Sequence, residues 1–142
     1  MKKIFEIFRP NQRFSRGSWS LELPTTVSFV DEVDGVFTFE PDAGFGALQL
    51  SSYIKDQTVT DDDLVEFLEG MLGQDQNLIE VMQGEFTGFI VETNEDKSWF
   101  RYWFLKCSST MVLATYNCDF GARGREDRLV DGVLSTLTYS QQ

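Results

Sequence analysis

Ser98-Trp-Phe-Arg-Tyr-Trp-Phe-Leu-Lys-Cys107 carries five aromatic rings in ten residues. A strand with one face in water alternates apolar with polar side chains. Here Trp99, Phe100, Tyr102, Trp103, Phe104 and Leu105 leave neither face polar. The segment that follows, MVLATYNC (residues 111–118), is also β-rich, and Ser108-Ser109 supplies a two-residue turn between them. In that register one face of the hairpin holds Trp99, Trp103, Leu105, Cys107, Val112, Ala114 and Tyr116. The other holds Phe100, Tyr102, Phe104, Met111 and Leu113. A hairpin that is apolar on both faces belongs in the middle layer of a sandwich. A three-residue turn would change the cross-strand partners and still leave both faces apolar.

The covers for those faces are legible further along the chain. Leu64, Phe67, Leu68, Met71 and Leu72 recur at helical spacing, with Thr60 as N-cap, Asp61, Asp62 and Asp63 in the first turn and Gly73 at the end. Leu129, Val130, Val133, Leu134 and Leu137 mark a second amphipathic helix, with Glu126 and Asp127 in its first turn. The two helices cover the sheet one on each side, or both on one side with strands and the amino-terminal arm on the other. WSLELP (residues 19–24) alternates and stops at proline. Asp34-Gly35 joins two β-rich runs, a strong hairpin signal, and GALQLSSYI (residues 46–54) follows a Gly-rich turn. Together these make a meander of four strands. Further strands are expected at about 78–83 and 85–93, with a turn at Asn94 to Lys97.

The chain has 142 residues, the size of one domain, and a net charge of −11. Residues 31–69 carry eleven acids against Lys55 alone, whereas residues 1–17 net +4. We divide the chain into a basic amino-terminal arm, 1–17, and a single α/β domain, 18–142. The acidic field repels phosphate backbones and attracts cations, so the partners expected exclude nucleic acid and membrane and include a basic protein. No apolar run approaches the roughly 18 residues of a membrane span. Glu6 and Arg9 interrupt the short apolar stretch after Lys2-Lys3, so it does not read as a signal peptide. The expected location is the cytoplasm. The proposed hairpin register holds Cys107 and Cys118 at opposite ends, over about 20 Å apart, too far for a disulfide. Two reduced thiols fit a cytosolic address.

The chain contains no histidine. That removes Ser-His-Asp and Cys-His arrangements and the usual general base near neutral pH. Carboxylate pairs such as Glu40 with Asp42, or Glu92 with Glu95, are expected by chance among 23 acids. Asp61-Asp62-Asp63 reads as a helix start, DEVDGVFTFE misses EF-hand ligand spacing, and GFG within DAGFGA lacks a dinucleotide fingerprint. No catalytic, cofactor or metal residues are assigned, and the chain reads as a non-enzyme.

WSLELP, DGVFTFEPDAGFGALQLSSY, FTGFIVE, WFRYWFLK, MVLATYNCD and REDRLVDGVLSTL, in that order, resemble the PsbP-like superfamily over residues 18–138. That superfamily includes photosystem extrinsic subunits, a nuclear Ran-binding protein and bacterial effector chaperones. The resemblance implies an α+β fold, an antiparallel sheet with two amphipathic helices in an α/β/α sandwich, and protein binding in place of catalysis. It brings no functional motif to carry over residue by residue. The resulting expectation is a protein-binding module of a small soluble bacterial protein, an effector chaperone or a toxin-immunity protein. Its candidate partner surface is Asp31, Glu32, Asp34, Glu40, Asp42, Asp61, Asp62 and Glu66. The alternative is a small-molecule-binding protein or enzyme with a pocket beside the sheet at Trp99, Arg101 and Trp103. Arg101 points there because it shares an apolar face with both indoles.

Overall fold

A computed structural model describes residues 11–42 and 44–141. The strands are β1 (Gln12–Arg16), β2 (Trp19–Leu23), β3 (Val27–Val33), β4 (Val36–Pro41), β5 (Gly46–Ile54), β6 (Ile79–Gln83), β7 (Phe86–Glu95), β8 (Ser98–Cys107), β9 (Thr110–Asp119) and β10 (Thr138–Tyr139). The helices are α1 (Asp61–Leu72), after β5, and α2 (Asp127–Leu134), after β9. Seven strands form one antiparallel sheet in the order β3-β4-β5-β9-β8-β7-β6. β1, β2 and β10 form a second, three-stranded antiparallel sheet.

β8 and β9 lie in the middle of the large sheet, in the register that a Ser108-Ser109 turn dictates: Cys107 opposite Thr110 and Trp99 opposite Cys118. Both faces of this hairpin are covered. On one, Trp103, Leu105, Val112, Ala114 and Tyr116 join a core completed by Trp19 and Leu21 of β2 and by Val130, Val133 and Leu134 of α2. On the other, Tyr102, Phe104 and Leu113 meet Val59 and the α1 residues Leu64 and Leu68. Burying each large side chain is worth about 1.5–3 kcal/mol, so each cover has a strong reason to stay. The helices therefore lie one on each side, and the small sheet shares its side with α2.

Local chemistry sets the element ends as the sequence suggests. Asp34 and Gly35 both adopt positive φ, as a two-residue hairpin turn of matching twist requires. Thr60 caps α1 in a reciprocal box: its hydroxyl accepts from the Asp63 N–H, and the Asp63 carboxylate accepts from the Thr60 N–H.

Three expectations are corrected. The four-strand meander loses its first member: β2, with Trp19, Leu21 and Leu23 buried, belongs to the small sheet, and the turn at Pro24 carries the chain from there to β3 of the large sheet. The domain begins before residue 18, because Gln12–Arg16 is strand β1. Phe14 anchors it with ring centroids 5.0–5.9 Å from Trp19, Phe29, Phe37 and Phe39. The turn expected at residues 94–97 is tighter, since Glu95 already pairs with Ser98. Residues 1–10 of the arm lie outside the described residues.

Glu126, 7% exposed, ties the start of α2 to the sheet. Its carboxylate accepts from the Phe45 and Gly46 N–H groups at 3.1 and 3.0 Å and from the Tyr116 hydroxyl at 2.6 Å. Glu126→Gln turns an amide NH2 toward donors that need an acceptor. The expected loss, read from urea unfolding, is about 2 kcal/mol. Burial first, then the Glu126 hydrogen bond, raises the Tyr116 pKa above its usual 10.0. The unfolded chain therefore loses this proton more readily than the folded one. Stability is intact below about pH 10 and falls as the pH rises beyond it. In Tyr116→Phe that alkaline loss is expected to shrink.

Candidate functional site

The eight acids assigned from sequence fall in two places. Asp31 and Glu32 lie on β3, Asp34 at its turn, Glu40 on β4, and Asp42 just beyond β4, accepting from the Ser28 hydroxyl at 2.6 Å. Asp61, Asp62 and Glu66 lie on α1, which packs on β8 and β7. β3 stands four strand spacings from β8, about 19 Å. The run that is continuous in sequence is thus divided between an edge hairpin and a helix.

Arg101 is 7% exposed. Its guanidinium lies 4.6 Å from the Trp103 ring centroid and is held by Glu92 at 3.0 Å, Asp127 at 3.3 Å and Asp131 at 3.5 Å. Burial raises the pKa of Asp131 against the opposing pull of Arg101. The buried cation is thereby satisfied from within the chain and fastens α2 to β7 and β8. Trp103 is fully buried and Trp99 half-buried against the same core. The residues gathered as a candidate pocket form an ion-pair cluster under α2.

A groove of about 600 Å³ opens on the other side of the sheet, between α1 and the end of β5. Tyr53, Ile54, Phe67, Met71 and Met111 make it mostly apolar. Ile54 is 66% and Met71 47% exposed, and the Tyr53 and Phe67 rings are 5.4 Å apart. The loop after β5 is pinned by bonds from the Lys55 and Val59 N–H groups to the Ser109 and Ser108 carbonyls. Lys55 reaches Asp63 at 2.8 Å, and Glu66 stands beside it on the lining. Of the acids on α1, Asp63 and Glu66 line the groove, and α1 carries no basic residue, so the helix side of the groove is acidic.

Gly70 lies on the groove wall, inside α1, and a Cβ built there meets nothing within 4 Å. Packing among the described residues does not require that glycine, and in a helix interior it costs about 1 kcal/mol relative to alanine. Helical periodicity assigns Met71 to the buried face, yet it is half-exposed at the groove. Two sequence signals point here: the apolar pair Tyr53-Ile54 ends a strand among polar residues, and a glycine interrupts an otherwise good helix.

Neither a family model nor a curated protein matches the sequence. Solved structures do. A crystal structure from Bacteroides thetaiotaomicron VPI-5482 matches with TM-score 0.67 at 15% identity, over 87% of this chain and 46% of that one. The solution structure of cyanobacterial PsbP (CyanoP) from Synechocystis sp. PCC 6803 matches with TM-score 0.62 at 15% identity, over 91% of this chain and 92% of that one. The fold is PsbP-like, and the α+β class read from the sequence holds. The chain spans about half the length of the Bacteroides structure. Among the described residues no helix is long and apolar enough to cross a membrane.

Gly70→Ala is expected to stabilise the free protein by about 0.5–1 kcal/mol in urea unfolding; a loss would show that the position is not open. The Lys55 hydrogen bond first, then the Thr60 N–H, lowers the Asp63 pKa below 3.8. The stability it gives the α1 start is present above that value and is lost as the pH falls through the lowered pKa. Asp63→Asn should make helix content and unfolding midpoint less sensitive to acid over that window.

Proposed function

We propose that the protein is a non-enzymatic binding module whose groove between α1 and β5 receives an amphipathic helix from a protein partner. The observation that carries this reading is an open apolar groove beside an acidic helix wall. A monomer has little reason to leave Ile54, Tyr53 and Met71 exposed together, and a helix laid into a groove buries such side chains on one stripe. The acids of α1 select a partner whose helix carries lysine or arginine beside its apolar stripe. Gly70 lets the partner approach the α1 backbone closely.

This reading joins two sequence-based versions, a basic partner and an apolar groove, at one surface. An effector chaperone and a toxin-immunity protein would both use such a surface. The absence of histidine supports a non-catalytic role. The rival based on Arg101 loses support because that side chain is already paired with Glu92, Asp127 and Asp131.

A designed Leu- and Lys-rich amphipathic helical peptide serves as probe, with binding followed by calorimetry. Ile54→Asp with Met71→Asp is expected to weaken binding at least about tenfold, equivalent to about 1.4 kcal/mol. Raising the salt from low to high should weaken it only severalfold, because the acids are exposed and screened while the apolar contact is not. Gly70→Ala should weaken it while stabilising the free protein. Equal affinity for the parent and the double variant would refute the groove, and collapse of binding with salt alone would shift the site to the acids.

A further inference from the structure

A second groove, of about 540 Å³, lies on the opposite side of the molecule between α2 and the β1–β2 hairpin. Pro24, Leu129, Gly132 and Val133 line it together with the charged side chains of Glu22, Arg125 and Arg128, and Asn11 and Thr136 complete the wall. Gly132 sits inside α2 and is exposed, and a Cβ there meets nothing within 4 Å. As at Gly70, alanine would make the better helix.

The chain itself leads to this groove. β1 begins at Gln12, opposite Leu23, so Asn11 enters the strand beside Pro24 at the groove wall. The ten preceding residues, MKKIFEIFRP, contain Ile4, Phe5, Ile7 and Phe8. At 3.6 residues per turn these four fall on one side, with Lys2, Lys3, Glu6 and Arg9 on the other. In the sequence pattern, Pro10 marks the end of such a helical period before Asn11. Four large apolar side chains on so short a segment call for a cover. A groove at the point where the segment joins the fold is met at an effective concentration of about millimolar.

We propose that the amino-terminal segment of this chain docks in cis into the groove between α2 and the β1–β2 hairpin, its apolar side against Leu129 and Gly132. Lys2, Lys3, Glu6 and Arg9, on the opposite side of the segment, stay in water. Gly132 admits the segment close to the α2 backbone. This surface is separate from the groove between α1 and β5 and stands independently of the function proposed for it.

The test compares amide resonances of the full chain with those of a Phe5→Asp, Phe8→Asp double variant. The resonances of Leu129, Gly132 and Thr136 are expected to move, those of Tyr53 and Met71 to stay, and the pattern to be unchanged on dilution. Gly132→Trp, which fills the groove, should abolish the response of Leu129 and Thr136 to the double substitution. Unmoved β8 and β9 resonances in each variant certify the fold. Coincident spectra for parent and double variant overturn the proposal. A difference that vanishes on dilution also overturns it, by placing the segment on a second copy.

Discussion

A strand with apolar side chains on both faces cannot border water, and the rest of this molecule is arranged around that constraint. β8 and β9 present rings and aliphatic side chains upward and downward at once. α1 shields one side, and α2 with the small sheet shields the other. The two cores share only the backbone of the central strands, so each depends on the other through the sheet. The Arg101 cluster and the Glu126 anchor then lock α2 in place, using charge where the apolar contacts alone leave its angle open.

The parts legible in the sequence are those governed by local rules. Asp34-Gly35, the Thr60 cap, the Gly73 stop and the unbroken aromatic run each encode their own geometry within a few residues. The β8–β9 register followed from turn length alone. What escaped notice depends on tertiary contact. β1 has one apolar residue, Phe14, among arginines and polar neighbours, and it is a strand because that ring enters a distant aromatic cluster. The two-residue Gly17-Ser18 connection was its local signal. β10 has two residues and pairs with β2 after a helix whose path no periodicity reveals. The alternation in β2 says that it is half-buried and cannot say against which layer.

The candidate sites divide along the same line. The sequence showed that Arg101 shares a face with two indoles, and that was correct. It could not show that Asp127 and Asp131, one helical turn apart on α2, would arrive to neutralise it. Charge counted along the chain merged the β3–β4 acids with those of α1, because sequence distance does not register the strands that intervene. The groove is made by α1 meeting the end of β5, a juxtaposition without a motif. Its two local marks, the apolar Tyr53-Ile54 pair at a strand end and a helix-interior glycine with open space where a Cβ would be, acquire meaning only beside that geometry.

Native-state hydrogen exchange across β8 and β9 tests the central claim most directly. If the doubly covered hairpin holds both layers together, the amides of Tyr102, Phe104, Leu113 and Ala114 should exchange only through global unfolding. Their opening free energy should equal the one obtained from urea. Exchange of these amides through a local opening of clearly lower free energy, while β2 and α2 stay protected, would contradict the account.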